Sequence, residues 1–146
     1  MTTASFSIEV ASAADIGSLT LIADECGLFV DFPAELLRSY ARLLVARMGH
    51  EICGFLLAWR AADELHLTDL GVREVSRRNG IGRALVSELC REGRLGGARL
   101  VLLEVRESNE PARALYRSLQ FTEQGRRAHY YADTDEDAVV MQLELR

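Results

Sequence analysis

The fold class that the sequence predicts is α+β, with a mixed, mostly antiparallel sheet of about seven strands and four flanking helices. Three strand-like segments, 43–48, 52–59 and 65–72, follow one another without a helix between them, which favours antiparallel pairing. Farther on, Leu100 to Leu103 form a nearly continuous apolar run, as expected for a strand covered on both faces. We therefore expect one domain, residues 1–146, with helices on both faces of one sheet.

The N-terminal half begins with a strand and two helices. Apolar and polar residues alternate over residues 6–10, which predicts the first strand, and residues 15–25 have a helical pattern. A second helix is expected from Pro33 to Tyr40, because proline is favoured in the first helical turn. In the third strand of the antiparallel group, alternation predicts residues 65, 67, 69 and 71 on one face and residues 66, 68, 70 and 72 on the other.

The C-terminal half carries two more helices and three strands. Ile81, Leu85 and Leu89 recur at helical spacing ahead of the apolar run. After that run, Asn109 is typical of a helix N-cap and Pro111 of a first turn. Residues 121–130 and 138–145 are expected to form the last two strands.

Composition excludes several classes of protein. No apolar run reaches the roughly 20 residues that a membrane span needs, so no membrane association is expected. The net charge of −5 argues against nucleic-acid binding, which needs a basic surface. The three cysteines are widely scattered and form no cluster with histidine, which predicts no metal site and a reducing, cytoplasmic location. All 17 basic residues are arginine, so catalysis by lysine is excluded.

Residues 77–83, Arg-Arg-Asn-Gly-Ile-Gly-Arg, lie between a predicted strand and a predicted helix. Gly80 and Gly82 let the backbone turn tightly and approach a ligand, and the helix N-terminus that follows presents unpaired N–H groups. Three arginines add positive charge to this segment of an acidic protein. The pattern predicts a pyrophosphate site, although it matches neither GxxxxGKS/T nor a GxGxxG unit with its acidic partner.

Five motifs in order, together with the strand that precedes the first of them, resemble the GNAT superfamily of acetyltransferases. Arg77-x-x-Gly80-x-Gly82 matches its acyl-CoA signature, Gln/Arg-x-x-Gly-x-Gly/Ala, and residues 69–72 are similar to the splayed strand before it. Residues 103–109, 114–121, 125–131 and 136–138 are similar to the bacterial ribosomal-protein-alanine acetyltransferases. The resemblance is strong from about Leu65 onward.

The resemblance implies an acetyl-CoA-dependent N-acetyltransferase with the GNAT fold and no metal, acting as a monomer or homodimer. It implies direct transfer in a ternary complex to a primary amine, such as the N-terminal α-amine of a ribosomal or other protein. Glu104 would be the general base and Tyr116 the general acid. Arg127, Tyr130 and Tyr131 would border the acceptor site. Acetyl-CoA would be held by Leu70, Gly71, Val72, Arg77, Arg78, Asn79, Gly80, Ile81, Gly82, Arg83 and Asn109.

Each of these candidates also has a simpler structural interpretation. Tyr116 lies on the apolar stripe of its helix and fits a core tyrosine. Glu104 fits a strand-end carboxylate paired with an arginine such as Arg106. Asn109 fits a helix cap, and it can serve both as a cap and as a ligand. His66 is expected to be a strand residue without a partner.

The chain departs from the family pattern at three places. Gln120 replaces a glycine, and an adjusted turn is expected there because a non-glycine residue at positive φ costs about 1 kcal/mol. Glu74 stands where proline is frequent, which is expected to be harmless. Residues 29–33, Phe-Val-Asp-Phe-Pro, replace a Pro-Trp-Ser segment in the region that shapes the acceptor site.

Three rival functions remain at this point. One is a GNAT enzyme that acetylates a small amine, such as an amino acid, a polyamine or an aminoglycoside. Another is a non-catalytic acyl-CoA sensor, disfavoured by Glu104 and Tyr116 because a sensor has no use for an acid and a base. The third, a nucleic-acid-binding module, is disfavoured by the acidic charge balance.

Overall fold

The computed structural model describes residues 5–146, so the first four residues of the expected domain lie outside the described part. Its strands and helices follow the predicted order and are β1 (Ser7–Val10), α1 (Ile16–Glu25), α2 (Phe32–Leu37), β2 (Ala41–Met48), β3 (Glu51–Ala61), β4 (Glu64–Val72), α3 (Ile81–Leu95), β5 (Leu100–Arg106), α4 (Glu110–Ser118), β6 (Thr122–Tyr131) and β7 (Glu136–Glu144). The predicted seven strands and four helices are confirmed. Within residues 5–146, no helix has both the length and the apolar composition that crossing a membrane requires.

All seven strands form one sheet in the order β1-β2-β3-β4-β5-β7-β6. Only β4 and β5 are parallel, and α3 makes the crossover between them. The other neighbouring strands pair antiparallel, which confirms the predicted mixed, mostly antiparallel sheet.

Helices cover the two faces of the sheet and produce two separate cores. The larger core buries one side of α3 and α4 against the sheet, with Leu85, Val101 and Met141 almost fully enclosed. The smaller core buries α1 and α2 against β2 and β3 around Phe32 and Phe55, whose rings pack edge to face. The sheet face that carries the smaller core is open beside β5, β7 and β6, because α1 and α2 pack mainly against β2 and β3. β6, at the far edge, is exposed along nearly its whole length.

A β-bulge in β4 overturns the predicted alternation of faces. Leu57 pairs with Asp69 but Ala58 pairs with Leu67, so Thr68 is an extra residue without an opposite partner. As a result, residues 65, 67, 70 and 72 face the larger core. Gly71 turns to the other side, where an added Cβ would lie 2.8 Å from Cε1 of Phe55.

Two local expectations also need correction. The helix expected from Pro33 to Tyr40 ends at Leu37, because Arg38 has an extended conformation with ψ of 123° and a turn at residues 39 and 40 leads the chain into β2. Gln120 keeps the left-handed conformation, with φ of +76°, so the turn is not adjusted. The side chain therefore carries a strain of about 1 kcal/mol that a glycine would avoid.

Candidate active site

A groove of about 780 Å³ opens where the N-terminal ends of α3 and α4 meet the end of β4. It is lined by Cys26, Leu28, Leu70, Val72, Ser76, Arg77, Arg78, Gly80, Ile81, Gly82, Arg83, Asn109, Pro111, Ala112 and Leu115. Most residues of the predicted acyl-CoA site therefore line one groove. Gly71 and Asn79 are not among its lining residues, since Gly71 faces the smaller core and Asn79 donates to the carbonyl oxygen of Ser76 at 2.9 Å.

The strands beneath this groove separate. The parallel pairing of β4 and β5 covers only Glu64–Leu67 and Leu100–Leu103, after which β4 pairs with β3 alone. The edge of β4 that faces β5 is consequently free of strand partners over residues 69–72. At Val72 the carbonyl oxygen accepts a hydrogen bond from Nε of Arg77 at 3.2 Å, which ties the next loop to the strand.

Positive charge in the groove is not neutralised by the protein. Arg77, Arg78 and Arg83 make no salt bridge with any carboxylate among residues 5–146, and Arg83 donates instead to Oγ of Ser118 at 2.6 Å. Gly80 precedes α3 with φ of +76°, a conformation that glycine adopts without strain. The first N–H groups of α3 have no partner within the helix, so the segment is suited to an anionic ligand.

Helices α3 and α4 approach each other across Gly82. An added Cβ at this glycine would lie 3.3 Å from Cδ2 of Leu115 on α4. Asn109 confirms its predicted cap role, because its Oδ1 accepts from the N–H of Ala112 at 3.2 Å. Since Asn109 is exposed at the groove, it can cap α4 and still contact a ligand.

Tyr116 is buried on α4, with only 5% of its surface exposed, and its ring packs against Phe121. Its hydroxyl makes no hydrogen bond with any other described residue. Burial above all, and then the proximity of Tyr131 and Asp69, raises the pKa of Tyr116 well above its usual range. The phenol therefore stays protonated at neutral pH and can act as a proton donor.

Glu104 points to the sheet face opposite α3 and has two partners. Its Oε2 lies 2.5 Å from Nε2 of His66, and its Oε1 lies 3.5 Å from Nη2 of Arg127. The predicted pairing of Glu104 with Arg106 is wrong. Arg106 pairs with Asp133, and its guanidinium lies 4.0 Å from the centre of the Tyr131 ring. The expectation that His66 lacks a partner is also wrong.

The two candidate catalytic residues do not line the same cavity. Glu104 borders a second, smaller cavity of about 220 Å³, and Tyr116 lines neither cavity. Tyr131 is near both residues: burial first, and Glu104 among the neighbouring charged groups, raises the pKa of Tyr131, and Tyr131 adds to the burial that raises the pKa of Tyr116. The guanidinium of Arg127 lies over the ring of Tyr130, so the three predicted acceptor-site residues are neighbours.

Sequence reasoning missed His66 and Asp69. Asp69 is partly buried in the separated half of β4, and its carboxyl forms no hydrogen bond and no salt bridge with the other described residues. Burial first, and then Glu35, raises the pKa of its carboxyl, whereas Thr68 and His66 act in the opposite direction. Strand alternation within residues 64–67 would have placed His66 on the face opposite Leu65 and Leu67. Its contact with Glu104, however, depends on the parallel register of β4 and β5.

Comparisons with known proteins agree with this geometry. The model of the Acetyltransferase (GNAT) family matches residues 17–121. A ribosomal protein bS18-alanine N-acetyltransferase from Escherichia coli (strain K12) is 39% identical over 97 residues, which cover 65% of this chain and 66% of that protein. An N-alpha-acetyltransferase from Sulfurisphaera tokodaii is 35% identical over 128 residues, covering 78% of this chain and 76% of that protein.

A solved structure agrees over nearly the whole chain. The crystal structure of the ribosomal-protein-S18-alanine N-acetyltransferase from Escherichia coli superposes with a TM-score of 0.89 at 28% identity. The superposition covers 97% of this chain and 94% of that one. The similarity therefore extends through the N-terminal third, where the sequence departs from the family motif.

Proposed function

The chain belongs to the acetyltransferase (GNAT) family, and on that premise we propose that it moves an acetyl group from acetyl-CoA to the α-amine of a protein or peptide N-terminus. The observation that carries the proposal is the groove at the ends of α3 and α4, whose three arginines have no carboxylate partner in the part of the chain that the structure describes. The α-amine acceptor is supported by the names of the relatives from Escherichia coli and Sulfurisphaera tokodaii. Residues 1–146 would act as one domain in the cytoplasm, as a monomer or homodimer.

The groove fits an acyl-CoA by shape and by charge. The N–H groups of residues 78–83 and the guanidinium of Arg77 would bind its pyrophosphate. The free edge of β4 at residues 70–72 would hydrogen-bond the pantetheine arm, with Asn109 on the other side. Acetyl-CoA supplies the thioester, and Gly82 leaves free the space beside Leu115 that a side chain at position 82 would fill.

Glu104 suits an acceptor whose amine is easily deprotonated. At neutral pH, freeing a peptide α-amine of its proton costs about 1 kcal/mol, whereas freeing a lysine amine costs roughly 4 to 5 kcal/mol. Glu104 would take the proton of the α-ammonium group, directly or through a water molecule. The α-amine therefore demands less of its general base than a lysine amine does.

Tyr116 would supply the proton that the leaving sulfur needs. The acceptor nitrogen loses two protons in the whole reaction, while the C–N bond forms and the C–S bond breaks. One of these protons passes through Glu104. The other goes to solvent and matches the proton that Tyr116 takes from solvent after protonating the thiolate. Arg127, Tyr130 and Tyr131 would border the peptide, with Tyr130 nearly half exposed for contact.

The direct test offers the protein two peptides together with acetyl-CoA. One is a hexapeptide starting Ala-Arg with a free N-terminus, and the other is N-terminally blocked and contains lysine. We expect acetylation of the free N-terminus alone, and a loss of roughly 100-fold or more in kcat for Tyr116→Phe because the general acid is gone. Released thiol and product mass measure both results.

Tyr40→Phe is the matched control, because it removes a tyrosine hydroxyl that lines neither cavity. It should keep the activity of the wild type. If acetyl-CoA binds but the free peptide N-terminus is not modified, the α-amine acceptor is wrong, and a small amine becomes the acceptor to test. If Tyr116→Phe is fully active, Tyr116 is not the general acid.

A further inference from the structure

His66 and Glu104 form a pair that the proposed chemistry does not yet use. His66 lies on β4 and Glu104 on β5, and His66 Nε2 is 2.5 Å from Glu104 Oε2. The two side chains differ in their access to solvent: that of Glu104 is 13% exposed and that of His66 is 44% exposed. The pair therefore connects a shielded carboxylate to a side chain that exchanges protons with water.

Both oxygens of Glu104 are occupied by protein groups, because Arg127 lies near the second oxygen. A proton taken up by Glu104 must leave again before the next turnover, and His66 is the nearest group able to accept it. Histidine is also the side chain whose ordinary pKa lies closest to neutrality. The charged groups around His66 are Glu104 from β5, Arg127 from β6, Glu64 and Asp69 from β4, and Glu35 of α2, which binds the indole of Trp59 opposite His66.

The second cavity provides a path from this pair to solvent. It has a volume of about 220 Å³, and its polar lining consists of Glu64, His66, Glu104 and Arg127. A cavity of this size has room for several water molecules, and these four side chains on its wall can hydrogen-bond them. The cavity lies beside the base and apart from the groove that would hold acetyl-CoA.

We propose that His66 relays the acceptor's proton from Glu104 to the water of this second cavity. The inference rests on the proposed function, in which Glu104 is the base. The proton leaves the α-ammonium nitrogen for Glu104, passes from the Glu104 carboxyl to the neutral His66 imidazole, and leaves the imidazolium for water. Both side chains return to their starting states, and the one proton that the overall reaction releases reaches solvent.

A kinetic test separates relay from simple support of Glu104. His66→Gln can still donate a hydrogen bond to Glu104 but cannot carry a proton, and His66→Ala removes both properties. We expect both variants to lower kcat by roughly 10-fold or more, with KM for acetyl-CoA unchanged. Imidazole added to the buffer should restore the activity of His66→Ala, because it can enter the space that the side chain leaves.

His50→Ala is the control, since His50 lies in the turn between β2 and β3, outside both cavities. It should keep the wild-type kcat and show no response to imidazole. Wild-type activity in His66→Gln, or an absence of rescue by imidazole in His66→Ala, would overturn the relay. Thermal unfolding of each variant shows whether it is folded under the conditions of the assay.

The acceptor and the relay can fail separately. If the wild type does not acetylate the peptide but does acetylate a small amine, the α-amine acceptor is wrong, and the same variants test the relay with that amine. A lower kcat in His66→Gln together with rescue of His66→Ala by imidazole would then support the relay, and wild-type activity in His66→Gln would overturn it.

Discussion

At the residue scale, the surroundings of each carboxylate decide its charge state. Asp69 and Glu136 are both acidic residues on strands of the same sheet. Burial raises the pKa of Asp69, whereas hydrogen bonding by Ser108 lowers that of Glu136. The main-chain N–H of Ser108 lies 2.7 Å from Oε2 of Glu136, but Asp69 has no comparable donor among the described residues.

Asp69→Asn should increase the free energy of unfolding at neutral pH. Burial raises the folded-state pKa of Asp69, so the contribution of this carboxyl to stability is complete below its unfolded pKa and is lost as the pH rises through its folded pKa. The asparagine carries no charge to bury at any pH. Urea unfolding from pH 4 to pH 7 should therefore show a difference between variant and wild type that grows with pH.

The control for this experiment is Asp24→Asn, which makes the same change in net charge at an exposed position of α1. It should not reproduce the gain in stability at pH 7. A gain for Asp69→Asn that is the same at pH 4 and pH 7 would contradict the assignment to ionisation. It would point instead to better packing of the amide.

At the element scale, the position of α3 depends on how closely its first turn approaches β3. An added Cβ at Gly54 would lie 2.9 Å from Cγ2 of Ile81 and 3.1 Å from the carbonyl oxygen of Gly71. Ile81 is the first residue of α3 and directly follows Gly80 at the groove. The absence of a side chain on β3 thus places the helix N-terminus at the proposed phosphate site.

Gly54→Ala should destabilise the protein by about 1 to 3 kcal/mol, the usual cost of overpacking a core. A fall in Tm of at least about 3 °C is expected for a chain of this size. The affinity for acetyl-CoA should fall as well, because the start of α3 must move away from β3. Thermal unfolding with and without acetyl-CoA measures both effects.

Gly17→Ala is the contrasting control on α1, where an added Cβ meets no atom within 4 Å. Alanine is the better helix former by up to about 1 kcal/mol, so this variant should be stabilised and should bind acetyl-CoA like the wild type. If Gly54→Ala binds acetyl-CoA as tightly as the wild type does, the spacing between β3 and α3 does not set the groove.

At the scale of the whole molecule, ion pairs are concentrated around the β6–β7 hairpin. Glu123 on β6 pairs with Arg113, and Arg106 on β5 pairs with both Asp133 and Glu136. Hydrogen bonding by Arg113 and by Arg106 lowers the pKa of Glu123 and of Asp133, respectively. Charged side chains thus connect the hairpin that borders the proposed acceptor site to α4 and β5.

Acid should loosen this hairpin before it unfolds the rest of the protein. The folded pKa values of these carboxylates are depressed, so their contribution is complete above the ordinary glutamate value of 4.5 and is lost as the pH falls through the lower folded values. Hydrogen exchange at pH 3.5 and pH 7 should show protection falling first in β6 and β7. An equal loss in all seven strands would contradict this.

Arg106→Gln tests the same network without a change of pH. It removes the partner of Asp133 and Glu136, so the exchange of the hairpin should become faster at pH 7 and less dependent on pH. Arg91→Gln, which breaks the pair with Glu88 on the exposed side of α3, should leave the hairpin unchanged.

The sequence by itself determined the features that depend on neighbours in the chain. The order of strands and helices, the Asn109 cap and the glycine turn ahead of α3 follow from local periodicity, capping and backbone freedom, and the structure has all of them. The signature residues 77–82 and the motifs that follow them also identified the family, which the match over residues 17–121 confirms.

Tertiary structure alone decided the contacts that join distant segments. The bulge at Thr68 reverses the faces of β4, because one extra residue shifts every later side chain to the other side. The parallel register then brings His66 beside Glu104, 38 residues away in the chain. Such pairings depend on how strands align in space, and no local pattern in the sequence encodes that alignment.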